Sequence, residues 1–351
     1  MSDFNELKSK YDTLGMYDKI VGFPGQLREG FEIGKSAALP DIDISKVRNI
    51  VVCGLGGSAI GGDLVRTFLA YRIKTPFNII RHYTLPEYVG QDTLCIISSY
   101  SGNTEETLSA YQDAKTRGAR IFAITSGGKL KQQCDQDGYS SIIIPPGFPP
   151  RAALGYSFMP MLVILSRLGL FENIDDDIEA AIEFLSKNID NYLMHDPDNM
   201  AICTAQSLHN KMTVVYGGQD YFDAVAVRFK GQICENAKVP AFFNFFPEFN
   251  HNELVGWGLV DEFKDKLAVV ILRDQDDHPR VSIRVGIVAK ILREKGVEVI
   301  EYKSTGPNLL ARMFSLIQYG DFVSLYLALL NKINPTPVEV IDYLKKELDK
   351  L

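Results

Sequence analysis

Ile50-Val51-Val52-Cys53-Gly54-Leu55-Gly56-Gly57-Ser58-Ala59-Ile60-Gly61-Gly62-Asp63 decides the reading of this chain. Its first four residues form a short apolar run that stops at glycine, the pattern of a strand buried on both faces. The glycines that follow predict a tight turn into a helix start, where unpaired backbone amides attract anions. Outward from this stretch, strand-like runs recur at 77–80, 93–98, 119–125 and 141–144, separated by helix-length amphipathic segments. Strands alternating with helices predict a mostly parallel sheet covered on both faces. A long helical region, 152–188, interrupts the alternation, which resumes with strands at 213–216, 241–245, 267–272 and 297–302. The polar, turn-rich stretch 190–201 is the expected boundary. The predicted organisation is an α/β chain of an N-terminal helical segment, 1–35, a first domain, 36–190, and a second, 191–351. The second ends in helices broken by Pro335 and Pro337.

Bulk composition agrees with two folded domains. The 351 residues are 46% apolar and 23% charged, values that exclude a disordered chain. No uninterrupted apolar stretch approaches the ~18 residues of a membrane span, and the polar N-terminus lacks the apolar core of a signal peptide. The expectation is a soluble cytoplasmic protein without a membrane partner. A net charge of −7 with scattered basic residues argues against nucleic-acid binding. The five cysteines show no CxxC spacing and are expected to be reduced and buried; the five histidines show no i, i+4 pair with acidic support, so no metal is expected.

Three glycine- or serine-rich loops are candidate phosphate sites. Gly54-x-Gly56-x-x-Ala59 satisfies a dinucleotide fingerprint, but the second strand ends in Arg81-His82, where ribose recognition asks for an acid. An NADP variant using Arg81 stays open at this point. Ser99-Tyr100-Ser101-Gly102-Asn103-Thr104 is more specific: three hydroxyls and several amides gather at a helix start, which suits a phosphate dianion without lysine or metal. An ordinary helix cap by Asn103 or Ser101 needs only one of them. Ser126-Gly127-Gly128 is expected only to cap the next helix.

The motifs GLGGSAIGGD (54–63), ISSYSGNTEET (97–107), GFPPRAALG (147–155), ENAKVPAFFNFFPEFNHNELVGW (235–257) and PTPVEVIDYLKKEL (335–348) together resemble the bifunctional phosphoglucose/phosphomannose isomerases. The resemblance implies two tandem sugar-isomerase (SIS) domains and no cofactor. It also implies interconversion of glucose 6-phosphate and mannose 6-phosphate with fructose 6-phosphate. By that likeness Gly57 and Ser58 lie beside the sugar, and Ser99, Ser101 and Thr104 hold its phosphate. The one departure is Ala59, where glycine is common.

Aldose–ketose isomerisation moves a proton between C1 and C2 through a cis-enediol, so it needs a base, a cation near the enediolate oxygen and a group that opens the sugar ring. Glu235 is the candidate base, at a helix end beside a buried strand. Arg151, after Pro149-Pro150, is the candidate cation, because an arginine at a helix start is unfavourable unless an anion is near. His251, on a polar turn, is the candidate ring opener, and the resemblance implies that it acts across a homodimer. Lys345, or Lys346 one register on, comes from the resemblance alone; Thr336 has no secure register. Two alternatives remain: a sugar-phosphate sensor without turnover, and an amino-sugar phosphate isomerase.

Overall fold

The apolar runs of the sequence become strands of two fully parallel sheets. The computed structural model describes residues 4–196, 198–348 and 350. Three helices come first, α1 (Phe4–Tyr11), α2 (Met16–Val21) and α3 (Phe23–Ser36). The first sheet and its helices follow: β1 (Asn49–Cys53), α4 (Gly56–Leu69), β2 (Phe77–Ile80), β3 (Thr93–Ser98), α5 (Glu105–Thr116), β4 (Arg120–Thr125), α6 (Gly128–Asp137), β5 (Ser140–Ile143), α7 (Leu154–Arg167) and α8 (Asp175–Asn188). The second set is α9 (Met200–Leu208), β6 (Met212–Gly218), α10 (Asp223–Gln232), β7 (Ala241–Phe246), α11 (Glu253–Gly256), β8 (Leu267–Arg273), α12 (Pro279–Glu294), β9 (Glu298–Lys303), α13 (Leu309–Leu330) and α14 (Glu339–Leu348). These are the two SIS-type α/β sets that the sequence predicts, with strand ends moved by a residue or two.

Two compact units result. The first-sheet unit comprises Gly22–Ser186 and Gly306–Arg312; the second-sheet unit comprises the chain up to Val21, Lys187–Thr305 and Met313 onward.

Strand order in the first sheet is β2-β1-β3-β4-β5, and in the second β7-β6-β8-β9. In each, the opening strand lies between the next two: Val51 pairs with Asn78 on one side and Cys95 on the other. The chain therefore winds in opposite directions from β1 and β3, and a crevice opens beyond their carboxyl ends, the usual ligand position in such sheets. Into that crevice run the turn after Cys53 and the loop after Ser98. β3 is buried along its whole length, as is β1 after Asn49, which explains their uninterrupted apolar character.

The helical region 152–188 is two helices rather than one. α7 is apolar all round, whereas Asp175, Asp176 and Asp177 open α8 with charges that complement a helix N-terminus. α13 is long and apolar enough to cross a membrane by length and composition, yet the window that passes that test is 94% buried, as for a core helix. Its polar side chains recur every third residue and pair within the second-sheet unit. Ser315 accepts from the Thr305 amide at 3.0 Å, Gln318 from Asn188 at 2.8 Å, Asp321 from Arg228 at 2.7 Å and Ser324 from Asn236 at 2.9 Å. This stripe ties α13 to the end of α8, to α10 and to the turn that follows α10. Cys53, Cys95 and Cys134 are buried, and desolvation raises all three thiols, Cys53 to about 12 and Cys134 to about 11, so they are poor nucleophiles. Contrary to expectation, Cys203 is exposed and Cys234 is only half-buried.

Candidate active site

Within the first-sheet unit, five of the candidate residues lie around the β1/β3 crevice. The Tyr100 amide donates to Ser58 Oγ at 3.0 Å, tying the start of α4 to the loop after β3. Ser99 Oγ donates to Thr104 Oγ1 at 3.1 Å and accepts from the Gly102 amide at 3.2 Å, closing the hydroxyl loop on itself. Ser101 Oγ accepts from the Asn103 amide at 3.3 Å, and its residue is exposed. Neither α4 nor α5 receives a side-chain cap: Leu55 and Thr104 are the cap residues, and neither side chain accepts from a first-turn amide. The positive ends of two helices, 14 and 12 residues long, thus meet the same crevice.

Asn103 caps a different helix. Its Oδ1 accepts from the Lys129 amide at 3.0 Å, in the first turn of α6. Residues 126–128 in turn do more than start α6, correcting the expectation that they only cap it. Ser126 Oγ donates to Tyr100 O at 2.7 Å, and the Leu130 amide donates to Gly102 O at 2.9 Å. Gly102 sits at φ +69°, and a Cβ there would lie 1.8 Å from Gly127 O. Gly102→Ala is therefore expected to cost at least about 2 kcal/mol through strain and clash. Gly56→Ala, at φ +52° with open space around its Cβ position, should cost only about 1 kcal/mol. Thermal unfolding of the two variants side by side checks the difference, and equal midpoints would show that the close approach at Gly102 contributes nothing.

The turn that holds Arg151 packs against the start of α4. Arg151 lies in the 3-10 turn Pro150–Ala152 that precedes α7 and is 4% exposed, so it is no surface residue. A Cβ on Gly57 would fall 2.5 Å from Pro150 O and 3.1 Å from the Arg151 amide, so only glycine lets α4 approach this turn. Two residues that sequence reasoning missed hold the turn. Gln26 Nε2 donates to Ala152 O at 2.8 Å. The Tyr100 hydroxyl accepts from the Phe148 amide at 3.0 Å and donates to Pro145 O at 2.8 Å, linking the serine loop to the segment that leads to Arg151. No local pattern marks either, since both act over long sequence separations. Arg81 pairs with Asp63 on α4, which occupies the guanidinium that an NADP reading needs.

The second-sheet unit carries Glu235, His251 and Lys345 on three separate elements. Glu235 lies in a π-helical turn, Ile233–Ala237, that continues α10; such turns recur at functional sites. Buried polar pairs fix the turn: Asp321 accepts from Arg228 and from Gln232 at 2.8 Å, Ser324 accepts from Asn236 at 2.9 Å, and Asn331 donates to Ala237 O at 3.0 Å. Lys238, at φ +57°, turns its ammonium back onto Glu235 O and onto Pro335 O at 3.1 Å. His251 ends the 3-10 turn Glu248–His251 and is exposed. Lys345 and Lys346 are both exposed on α14.

The corresponding crevice of the second sheet, beyond β6 and β8, is acidic. Asp277 Oδ2 accepts from the Asp274 amide at 3.0 Å, and burial raises the Asp277 carboxyl. The fold repeats, but the anion-binding character does not.

Comparison with known proteins agrees with this division. Residues 43–163 match the SIS domain family, and residues 197–348 match the bacterial phospho-glucose isomerase C-terminal SIS domain. A bifunctional phosphoglucose/phosphomannose isomerase from Caldicellulosiruptor bescii is 46% identical over 338 residues, 96% of this chain and 99% of that one. The chain belongs to the bifunctional phosphoglucose/phosphomannose isomerase family. Another member, from Aquifex aeolicus, is 37% identical over 336 residues, covering 95% of this chain and 98% of its own. Among solved structures, a hypothetical protein from Thermus thermophilus superposes with a TM-score of 0.77 at 16% identity, over 99% of this chain and 92% of that one. At that identity it supports the fold alone. The family's tandem SIS architecture thus accounts for both parallel sheets and for the motifs around the first crevice.

Proposed function

We propose that this chain is an aldose–ketose isomerase that interconverts glucose 6-phosphate and mannose 6-phosphate with fructose 6-phosphate, without a metal. The observation that carries the reading is the β1/β3 crevice. Two uncapped helix starts and the hydroxyls of Ser99, Ser101 and Thr104 suit a phosphate dianion, with Gly57 and Ser58 beside the sugar. Family membership supports the reaction, since the relatives described above carry both activities in their names.

In this reading His251 moves the proton that opens the sugar ring. Glu235 then takes the C2 proton of the open aldose, the electrons forming a C1–C2 double bond as O1 gains a proton. Glu235 returns the proton to C1 as the O2 hydroxyl gives up its own, which balances the proton O1 gained, and O2 becomes the carbonyl of the ketose. Arg151 steadies the charge that develops on oxygen during the transfer, and Lys345 supplies a further positive charge. One enediol serves both epimers, because rotation about the C2–C3 bond presents either face of C2 to the same carboxylate, and reprotonation then gives the gluco or the manno aldose.

We further infer a homodimer in which His251 serves the neighbouring subunit. The exposed turn of His251 continues into Val255 and Leu259, 81% and 86% exposed, apolar surface of the kind a second copy covers. The test is conversion of both aldose phosphates by purified protein in EDTA. Turnover of both is expected; tight binding of sugar phosphate without turnover would leave only a sensor.

A further inference from the structure

The turn that carries His251 is secured by one carboxylate. Glu253, two residues on, opens α11 and is half-buried. One of its oxygens accepts from the Tyr216 hydroxyl of β6, and the other accepts from Asn244 Nδ2 of β7 at 2.6 Å. Trp257 Nε1 donates to the same Tyr216 hydroxyl at 3.1 Å, so each partner in the chain has a defined donor or acceptor role. Phe249, two residues before His251, stacks on the Tyr216 ring with centroids 4.2 Å apart and planes 5° apart. Tyr216 therefore grips the turn from both sides of His251, by its ring through Phe249 and by its hydroxyl through Glu253.

The turn needs such a grip. Among the described residues nothing bonds to either buried polar atom of the Asn250 side chain, a cost that neighbouring contacts must offset. Asn252 is in no regular conformation, at φ −147° and ψ −74°, and spends its own side chain on the Glu253 amide at 2.6 Å and on Glu248 at 3.0 Å. Glu253 is the only residue of these four, 250–253, whose side chain bonds to two strands of the sheet in these interactions. Burial and the adjacent Glu253 carboxylate push the Tyr216 phenol up, so it stays a donor across the working pH range.

We infer that Glu253 is a positioning residue for ring opening: it fixes the turn so that His251 meets the sugar in one orientation. The inference rests on the proposed role of His251. Ring opening can be read separately from isomerisation as the rate at which the enzyme interconverts the α and β anomers of glucose 6-phosphate, which needs no proton from C2. Glu253→Gln keeps the shape of the side chain but puts an amide N–H2 or a neutral oxygen where the carboxylate accepts. Misplacement of a catalytic group by ~1 Å costs about 100-fold, so catalysed anomerisation is expected to fall by about 10- to 100-fold. Inhibition by the open-chain analogue 5-phosphoarabinonate should change by less than about threefold, and the double variant with His251→Ala should be no slower than His251→Ala alone. Tyr216→Phe, which keeps the ring stack, should follow in the same direction and guards against a Glu253 variant that fails to fold. If His251→Ala lowers anomerisation and both Glu253→Gln and Tyr216→Phe leave it intact, the positioning role is wrong. If His251→Ala itself leaves anomerisation intact, the assignment of His251 falls instead. Weakened analogue binding, or losses that multiply in the double variant, would overturn positioning in favour of a general structural role.

Discussion

Glu235→Gln is expected to lower isomerisation of glucose 6-phosphate and of mannose 6-phosphate by the same factor, about 100- to 10,000-fold, the usual contribution of a general base. The amide is isosteric with the carboxylate but cannot accept the C2 proton. Folding should not suffer, because the substitution preserves the shape of the side chain and Arg228, Gln232, Asn236 and Asn331 hold the π-helical turn. Equality of the two losses is the sharper part of the expectation. One carboxylate is assigned to both epimers, so the ratio of the two rates should survive the substitution. Catalysed anomerisation should also survive, since ring opening is assigned to His251. Steady-state rates for both aldoses, measured beside anomer exchange, check all three parts. Retention of mannose 6-phosphate activity alone would require a second base and would remove Glu235 from that reaction.

The unequal visibility of these features in the sequence has physical causes. β1 and β3 are legible because strands buried on both faces need unbroken apolar runs, and the loops after them because glycine and hydroxyl residues are local requirements of a helix start. The parallel sheets follow from strand–helix alternation. What escaped are the supports. Gln26 holds the Arg151 turn from 126 residues away, and Tyr100 reaches Phe148 over 48. Nothing near Gln26 sets it apart from an ordinary polar side chain, and the serine loop around Tyr100 gives no sign of a partner at Phe148. The α13 stripe could have been noticed, since polar residues every third position in an apolar helix are unusual, but its partners Asn188, Arg228, Asn236 and Thr305 could not. The split of 152–188 into two helices was marked by the aspartates at 175–177, which the apolar content of the flanking turns obscured.

Charge separates the two halves of the chain more sharply than fold does. Both sheets place their opening strand between the next two, so both generate a crevice at the same topological position. The first is lined by hydroxyls and uncapped amides; the second presents Asp274 and Asp277. A phosphate dianion beside those carboxylates would meet like charge in a partly desolvated place, which raises its energy. Duplication of the architecture therefore leaves two crevices of unlike charge.

Mixing two inactive variants should restore activity. If each site uses Glu235 of one subunit and His251 of its partner, a Glu235→Gln subunit paired with a His251→Ala subunit has one site lacking both groups and one site complete. Random reassortment of equal amounts makes half the dimers mixed, so the recovered rate should approach about one quarter of the wild-type rate. Were His251 to serve its own subunit, every site in the mixed dimer would lack one group and the rate would stay at the level of the separate variants. The expected contrast is large, because each single variant starts from a loss of about 100-fold or more. Reassortment needs the apolar surface to part and rejoin, for which brief exposure to mild denaturant followed by dilution suffices, with untreated mixtures as the control. Replacing Val255 and Leu259 together by aspartate adds charge to the surface beside His251 and should yield monomers by sedimentation. Those monomers should lose ring opening while still binding 5-phosphoarabinonate. Dimers that persist would remove Val255 and Leu259 from the interface, and monomers that keep full anomerisation would place the histidine in its own subunit's site.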